Sequence, residues 1–111
     1  DESFLRSTLG GTVKLLPFAD VIYLSAEDKY TTVVHRNGSL VIDQSLLELE
    51  NEYADALVRI HRSTLVARKC IRGLEKSPDG RHFLQLEGCD DGPQVSRRNL
   101  PAIRKLIRAL S

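Results

Sequence analysis

The sequence has no tryptophan, no methionine, and only three tyrosines and three phenylalanines among 111 residues. Any core built from it must rest on Leu, Val and Ile. The apolar fraction, 41%, suffices for the modest core of one domain. No apolar run approaches the roughly 18 residues that span a bilayer. The N-terminal "DESFLRSTLGG" lacks the basic-then-apolar layout of a secretory signal. Cys70 and Cys89 are far apart, in no CxxC pair and near no histidine cluster, so reduced thiols in a cytoplasmic protein are expected. Sequence leaves a single disulfide open. His35, His61 and His82 sit in no nucleophile or metal motif, and the glycines mark turns rather than a phosphate-cradling loop. No catalysis, cofactor, metal or small-molecule substrate is expected.

What the chain does have is segregated charge. Net charge is only +1. Yet the stretch 43–55 carries Asp43, Glu48, Glu50, Glu52 and Asp55 with no base. The stretch 59–72 carries Arg59, His61, Arg62, Arg68, Lys69 and Arg72 with no acid. The stretch 95–111 adds Arg97, Arg98, Arg104, Lys105 and Arg108, again without an acid. Such clustering is the footprint of a polyanionic partner. Apolar Val58, Ile60, Leu65, Val66 and Ile71 thread the second stretch, so it is folded rather than a basic tail.

Periodicity predicts many short strands and two small helices. "TVKLLP", "VIYLSA" and "YTTVVH" read as strands, and Asn37-Gly38 before "SLVI" signals a hairpin. Ser45 and Glu48 have the capping-box spacing, with Leu46, Leu49 and Tyr53 at helical intervals behind them. "LVRIHR" alternates as a half-buried strand does. Stretches 71–76 and 82–87 flank the turn signal "SPDG", and "QVS" at 94–96 adds a short strand. Leu100, Ile103, Leu106, Ile107 and Leu110 mark one face of a C-terminal helix. There is no long mid-chain helix, zinc-finger spacing or basic heptad array, so any reading of DNA must come from loops between strands.

Two acid-free loops can meet a polyanion. In "IHRS", Arg62 can fork onto a guanine edge or a phosphate while Ser63 donates to phosphate. In "VSRRN", Ser96 and Asn99 lie near a helix N-terminus and an arginine can reach a groove. Each loop alone reads more simply as solvated cations; the pair favours polyanion binding. In "SAEDKYTT" the acids flanking Lys29 favour a plain turn on charge alone.

The segments "FADVIYLSAEDKYTTV", "GSLVIDQSLLELE", "LVRIHRSTLVARKCI" and "VSRRNLPAI" resemble, in order and spacing, the LytTR DNA-binding domain of bacterial response regulators. Within that family the chain looks closest to regulators of the alginate type. The resemblance covers 12–110 and is most specific at "RIHRSTLVAR". It implies a mostly β fold, an elongated β–β–β stack of three small antiparallel sheets with short flanking helices. It further implies double-stranded DNA as partner, read by loops in successive major grooves. Lys29, Thr31, Arg62 and Arg98 match its base-contacting positions. Ser63, Arg68, Ser96 and Asn99 match positions near the phosphates, and His61 and Arg97 are expected to contact phosphate beside them. Arg62 stands where many members have Asn, and Thr31 where some have His, so the bases read there should differ.

The expected organisation is a linker over 1–11 from an upstream domain, the chain being a piece of something longer, and the DNA-binding domain over 12–111. The implied role is the cytoplasmic output domain of a bacterial two-component transcription regulator. A monomer is expected in solution, paired on two direct repeats in DNA. The competing class is a protein- or RNA-interaction module using the same loops. Tyr30, Tyr53 and Phe83 all fall at packing positions, which leaves few stacking platforms for single strands and weighs against RNA.

Overall fold

Strands alternate with tight turns from Phe4 onward in the computed structural model, which describes residues 3–111. β1 (Phe4–Ser7) pairs with β2 (Lys14–Pro17) as a two-stranded antiparallel sheet. β3 (Val21–Glu27), β4 (Tyr30–His35), β5 (Gly38–Ile42), β6 (Leu57–His61) and β7 (Thr64–Ala67) form a five-stranded sheet in the order β5-β4-β3-β7-β6. β8 (Ile71–Lys76), β9 (His82–Leu86) and β10 (Gln94–Val95) form the third sheet, in the order β10-β9-β8. α1 (Leu46–Glu52) lies between β5 and β6, and α2 (Leu100–Leu110) closes the chain. The result is elongated, 44 × 31 × 24 Å. Three small antiparallel sheets with short helices is the architecture the family resemblance implies.

The middle sheet separates two apolar cores. On one side Leu24, Val33, Leu57 and Leu65 meet Leu5, Leu16 and the α1 residues Leu46 and Leu49. On the other, Ile22, Ile60 and Val66 meet Ile71, Leu84, Val95 and Ile103 of α2. Adjacent strand residues point to opposite faces, so neighbours Leu65 and Val66 enter different cores. α1 starts as its spacing predicts. Ser45 Oγ accepts from the Glu48 amide at 3.1 Å, and Glu48 Oε1 accepts from the Ser45 amide at 3.3 Å.

Three expectations change. Phe4–Ser7, placed in a linker by the sequence, is a strand. Leu5 is 1% exposed, and the Ser7 hydroxyl donates to Val41 O at 2.7 Å. Thr64–Ala67, given no element of its own, is a strand buried at every position. With both faces covered it shows no alternation, and no glycine or asparagine marks its turn. The hairpin signalled by Asn37-Gly38 turns one residue earlier, since His35 pairs with Gly38 and leaves Arg36 and Asn37 as the loop.

Candidate nucleic-acid interface

Strand direction brings the three predicted loops together. β3 and β7 are antiparallel, with Ser25 opposite Thr64, so the end of β3 and the start of β7 lie at one end of the sheet. Asp28 and Lys29 form the tip between β3 and β4, where Asp28 takes φ 53°, a left-handed conformation that Asp tolerates. Arg62 and Ser63 form the tip between β6 and β7. The turn before α2 joins the same region, because the Ser96 amide donates to Ile60 O at 2.9 Å. Lys29, Arg62, Arg97 and Arg98 are all exposed. Among the described residues the ion pairs involve Arg59, Arg72 and Arg81, so these four cations have no carboxylate partner.

Side chains, rather than glycine, hold the Arg62 turn. His61 Nδ1 accepts from the Ser63 amide at 3.2 Å and lies 3.0 Å from Ser63 Oγ. An Nδ1 that accepts an amide proton carries none itself, which assigns the neutral ring's proton to Nε2 and makes the Ser63 hydroxyl a donor. Arg59 Nη1 donates to Arg62 O at 2.7 Å, and Arg59 Nη2 to Glu50 Oε1 at 2.8 Å.

The 96–99 segment is not extended. The Asn99 and Leu100 amides both donate to Ser96 O at 3.1 Å, so the backbone turns through Arg97 and Arg98. Ser96 Oγ donates to Asn99 Oδ1 at 2.6 Å, and Asn99 Nδ2 to Arg59 O at 3.3 Å. Ser96 and Asn99, expected near phosphates, thus spend these groups pinning the turn to β6. Arg98 lines a concavity of about 570 Å³ with Arg59, His61, Arg62, Ser96 and Asn99; Arg97 does not.

Two predicted site residues fall elsewhere. Thr31, expected to touch a base, is 3% exposed and donates its hydroxyl to Gln44 O at 2.7 Å. The alternation that exposes Tyr30 turns Thr31 inward. Arg68, expected at a phosphate, follows the other end of β7, so the whole length of that strand, about 13 Å, separates it from the Arg62–Ser63 tip. There it borders a separate, more apolar concavity with Pro17, Phe18, Ala56, Ala67 and Leu110, which shares no residue with the Arg62 cluster.

Sequence reasoning missed two features of this end. Tyr30, expected to pack, is 48% exposed beside Lys29, whereas Tyr53 does pack, stacked on Phe18 with ring centroids 3.9 Å apart. Arg59 and Glu50 were visible only as members of opposite charge runs, and nothing in their nine-residue separation announces a contact. Cys70 and Cys89 are free thiols, and burial pushes the Cys70 thiol up from its ordinary value. No group of three or more His, Cys, Asp or Glu among the described residues could hold a metal ion. Among the described residues no helix is long and apolar enough to cross a membrane.

Residues 11–108 match the family described as the LytTr DNA-binding domain, and the chain belongs to that family. It is 40% identical over 99 residues to the positive alginate biosynthesis regulatory protein of Pseudomonas aeruginosa, covering 88% of this chain and 40% of that protein. It is 31% identical over 100 residues to a CO-responsive transcriptional regulator of Rhodospirillum rubrum, covering 89% and 42%. The chain therefore spans about two fifths of the length of these relatives. Its structure is similar to the LytTr DNA-binding domain of a methyl-accepting/DNA response regulator from Bacillus cereus. The TM-score is 0.78 at 26% identity, covering 96% of this chain and 98% of that one.

Proposed function

We propose that this domain binds double-stranded DNA sequence-specifically, with Lys29, Arg62 and Arg98 reading base edges in successive major grooves. The observation that carries this is the meeting, at one end of a braced sheet, of exposed cations from three separate chain segments that have no carboxylate partner among the described residues. Turns held by side-chain bonds lose little freedom on binding, so charge placed on them is effective. Arg97, the Nε2 proton of His61 and the Tyr30 hydroxyl serve the phosphates, while the Ser63 hydroxyl, expected at a phosphate, gives its one proton to His61 Nδ1 and holds the turn instead. Thr31, Ser96 and Asn99 position the loops from within, and Arg68 stands outside the interface. The domain acts as the cytoplasmic output end of a bacterial transcription regulator and carries no catalysis. It is a monomer alone and pairs on two direct repeats. One small domain buries limited area, and a second copy on the same duplex raises specific affinity.

Selection from a randomised duplex pool tests this reading. One motif should be enriched, footprints should show it twice in tandem, and log affinity should fall with log salt by about 0.9 per phosphate neutralised. Equal affinity for selected and scrambled duplexes would overturn it.

A further inference from the structure

Arg59 stands where three parts of the interface cross. Its Nη1 donates to Arg62 O at 2.7 Å, its Nη2 donates to Glu50 Oε1 at 2.8 Å, and its own carbonyl accepts from Asn99 Nδ2 at 3.3 Å. Its side chain is 24% exposed and that of Glu50 33%. The guanidinium borders the same concavity as Arg62 and Arg98, yet its charge is opposed by a carboxylate while theirs, among the described residues, is not. Glu50 is held in turn by α1, through the Ser45–Glu48 capping box and buried Leu46 and Leu49.

We propose that Arg59 is a positioning residue for base reading and that Glu50 is the group that keeps it so; this rests on the DNA reading above. A planar guanidinium with fixed donor directions can hold two acceptors at a set angle, which a lysine cannot do. One of those acceptors is the carbonyl of Arg62, the residue whose side chain reads the duplex. Displacement of a contact group by a fraction of an ångström is enough to lose a bidentate base contact. Glu50 has a second effect. By neutralising Arg59 it prevents a fifth cation from seizing phosphates at random sequence. The acidic run before β6 thus restrains the basic run that follows.

The test uses the whole 111-residue domain as wild type, Glu50→Gln, Arg59→Lys and Arg59→Ala. Each is titrated by anisotropy against the selected duplex and a scrambled duplex at several salt concentrations, with urea unfolding in parallel. All three variants should lose specificity ratio on the order of tenfold, the scale of a bond to a charged group. Glu50→Gln should hold or gain affinity for scrambled DNA. Arg59→Ala should keep the wild-type salt slope, because Arg59 neutralises no phosphate. A slope reduced by about one with equal weakening on both duplexes would make Arg59 a phosphate ligand and overturn the proposal, as would an unchanged ratio in all three variants. A readout without DNA judges the brace itself. The wild-type Arg59 Nη resonances should be separate, through slowed guanidinium rotation, and should merge in Glu50→Gln. Merged resonances in the wild type would sink the brace. A wild type that does not discriminate duplexes would instead sink the DNA reading.

Discussion

The amide of Ala26 donates to the carbonyl of Ser63 at 2.9 Å, one step beyond the last ladder pair of β3 and β7. That bond carries the β3–β7 pairing up to the Arg62–Ser63 turn, while the β3–β4 hairpin runs one pair further, to Glu27 and Tyr30, before its Lys29 tip. Both tip side chains are exposed, and neither has an ion-pair partner among the described residues. Lys29→Ala and Arg62→Ala should leave unfolding free energy within about 0.5 kcal/mol of wild type. Arg62→Ala should cost about 1–3 kcal/mol on the selected duplex and much less on a scrambled one. Urea melts and titrations of both variants check this; a large loss of stability would mean that the tips are structural.

Arg98 and Arg97 are neighbours with different surroundings, since only Arg98 lines the concavity shared with Arg62. Arg98→Ala should lower the specificity ratio by about 1–3 kcal/mol. Arg97→Ala should weaken selected and scrambled duplexes by a similar small factor and reduce the salt slope by about one. The reverse pattern would show that the turn presents the other arginine to the bases.

Thr31→Val separates packing from recognition. The valine keeps the shape but leaves Gln44 O without the donor now 2.7 Å away. Stability should fall by about 1–3 kcal/mol while the specificity ratio is retained. Loss of the ratio at unchanged stability would restore Thr31 to the bases.

Leu5→Ala asks whether the N-terminal strand belongs to the domain. Leu5 is 1% exposed in the core that also holds Leu16 and Leu24. Truncating it should cost about 2–5 kcal/mol in urea unfolding. A linker residue would cost nothing.

Asp79 should show in acid. The Ser77 hydroxyl donates to it first of all, followed by the Arg81 amide and guanidinium, and its carboxyl is lowered from 3.8 to about 2. A depressed folded value favours the carboxylate in the folded state. Its contribution is therefore complete above about pH 4 and is lost as pH falls through about 2. The group is solvent-exposed, so the effect on stability is small and the chemical-shift titration is the better measure. A midpoint near 2 is expected, moving toward 3.8 in Ser77→Ala.

Much of the scaffold was legible because its devices are local. The capping box at Ser45 and Glu48, the Leu100 to Leu110 face and the β-branched run of β4 each act within a few residues. β7 was not, because burial on both faces erases alternation, and its turn is built by a histidine acceptor rather than by a turn-forming residue. β1 was hidden for a related reason: its partner β2 follows a glycine pair that itself looks like a linker. At the candidate site, sequence supplied the cations but not their company. Which of Ser96, Asn99 and Thr31 face inward depends on bonds spanning up to forty residues, such as Asn99 to Arg59. The distance of Arg68 from the others depends on β7 being a strand at all.

The adjacent placement of Leu65 and Val66 in opposite cores reaches beyond architecture. Two cores divided by a loop could melt one at a time. Two cores divided by a single hydrogen-bonded sheet cannot, because losing either leaves the shared sheet with a bare apolar face. The molecule should therefore come apart in one concerted transition, with the slowest amide exchange in β3 and β7 at its centre. A protein of this kind has no partly melted state in which one core is lost and the Lys29 and Arg62 tips part. The spacing between them is kept or lost together with the whole fold.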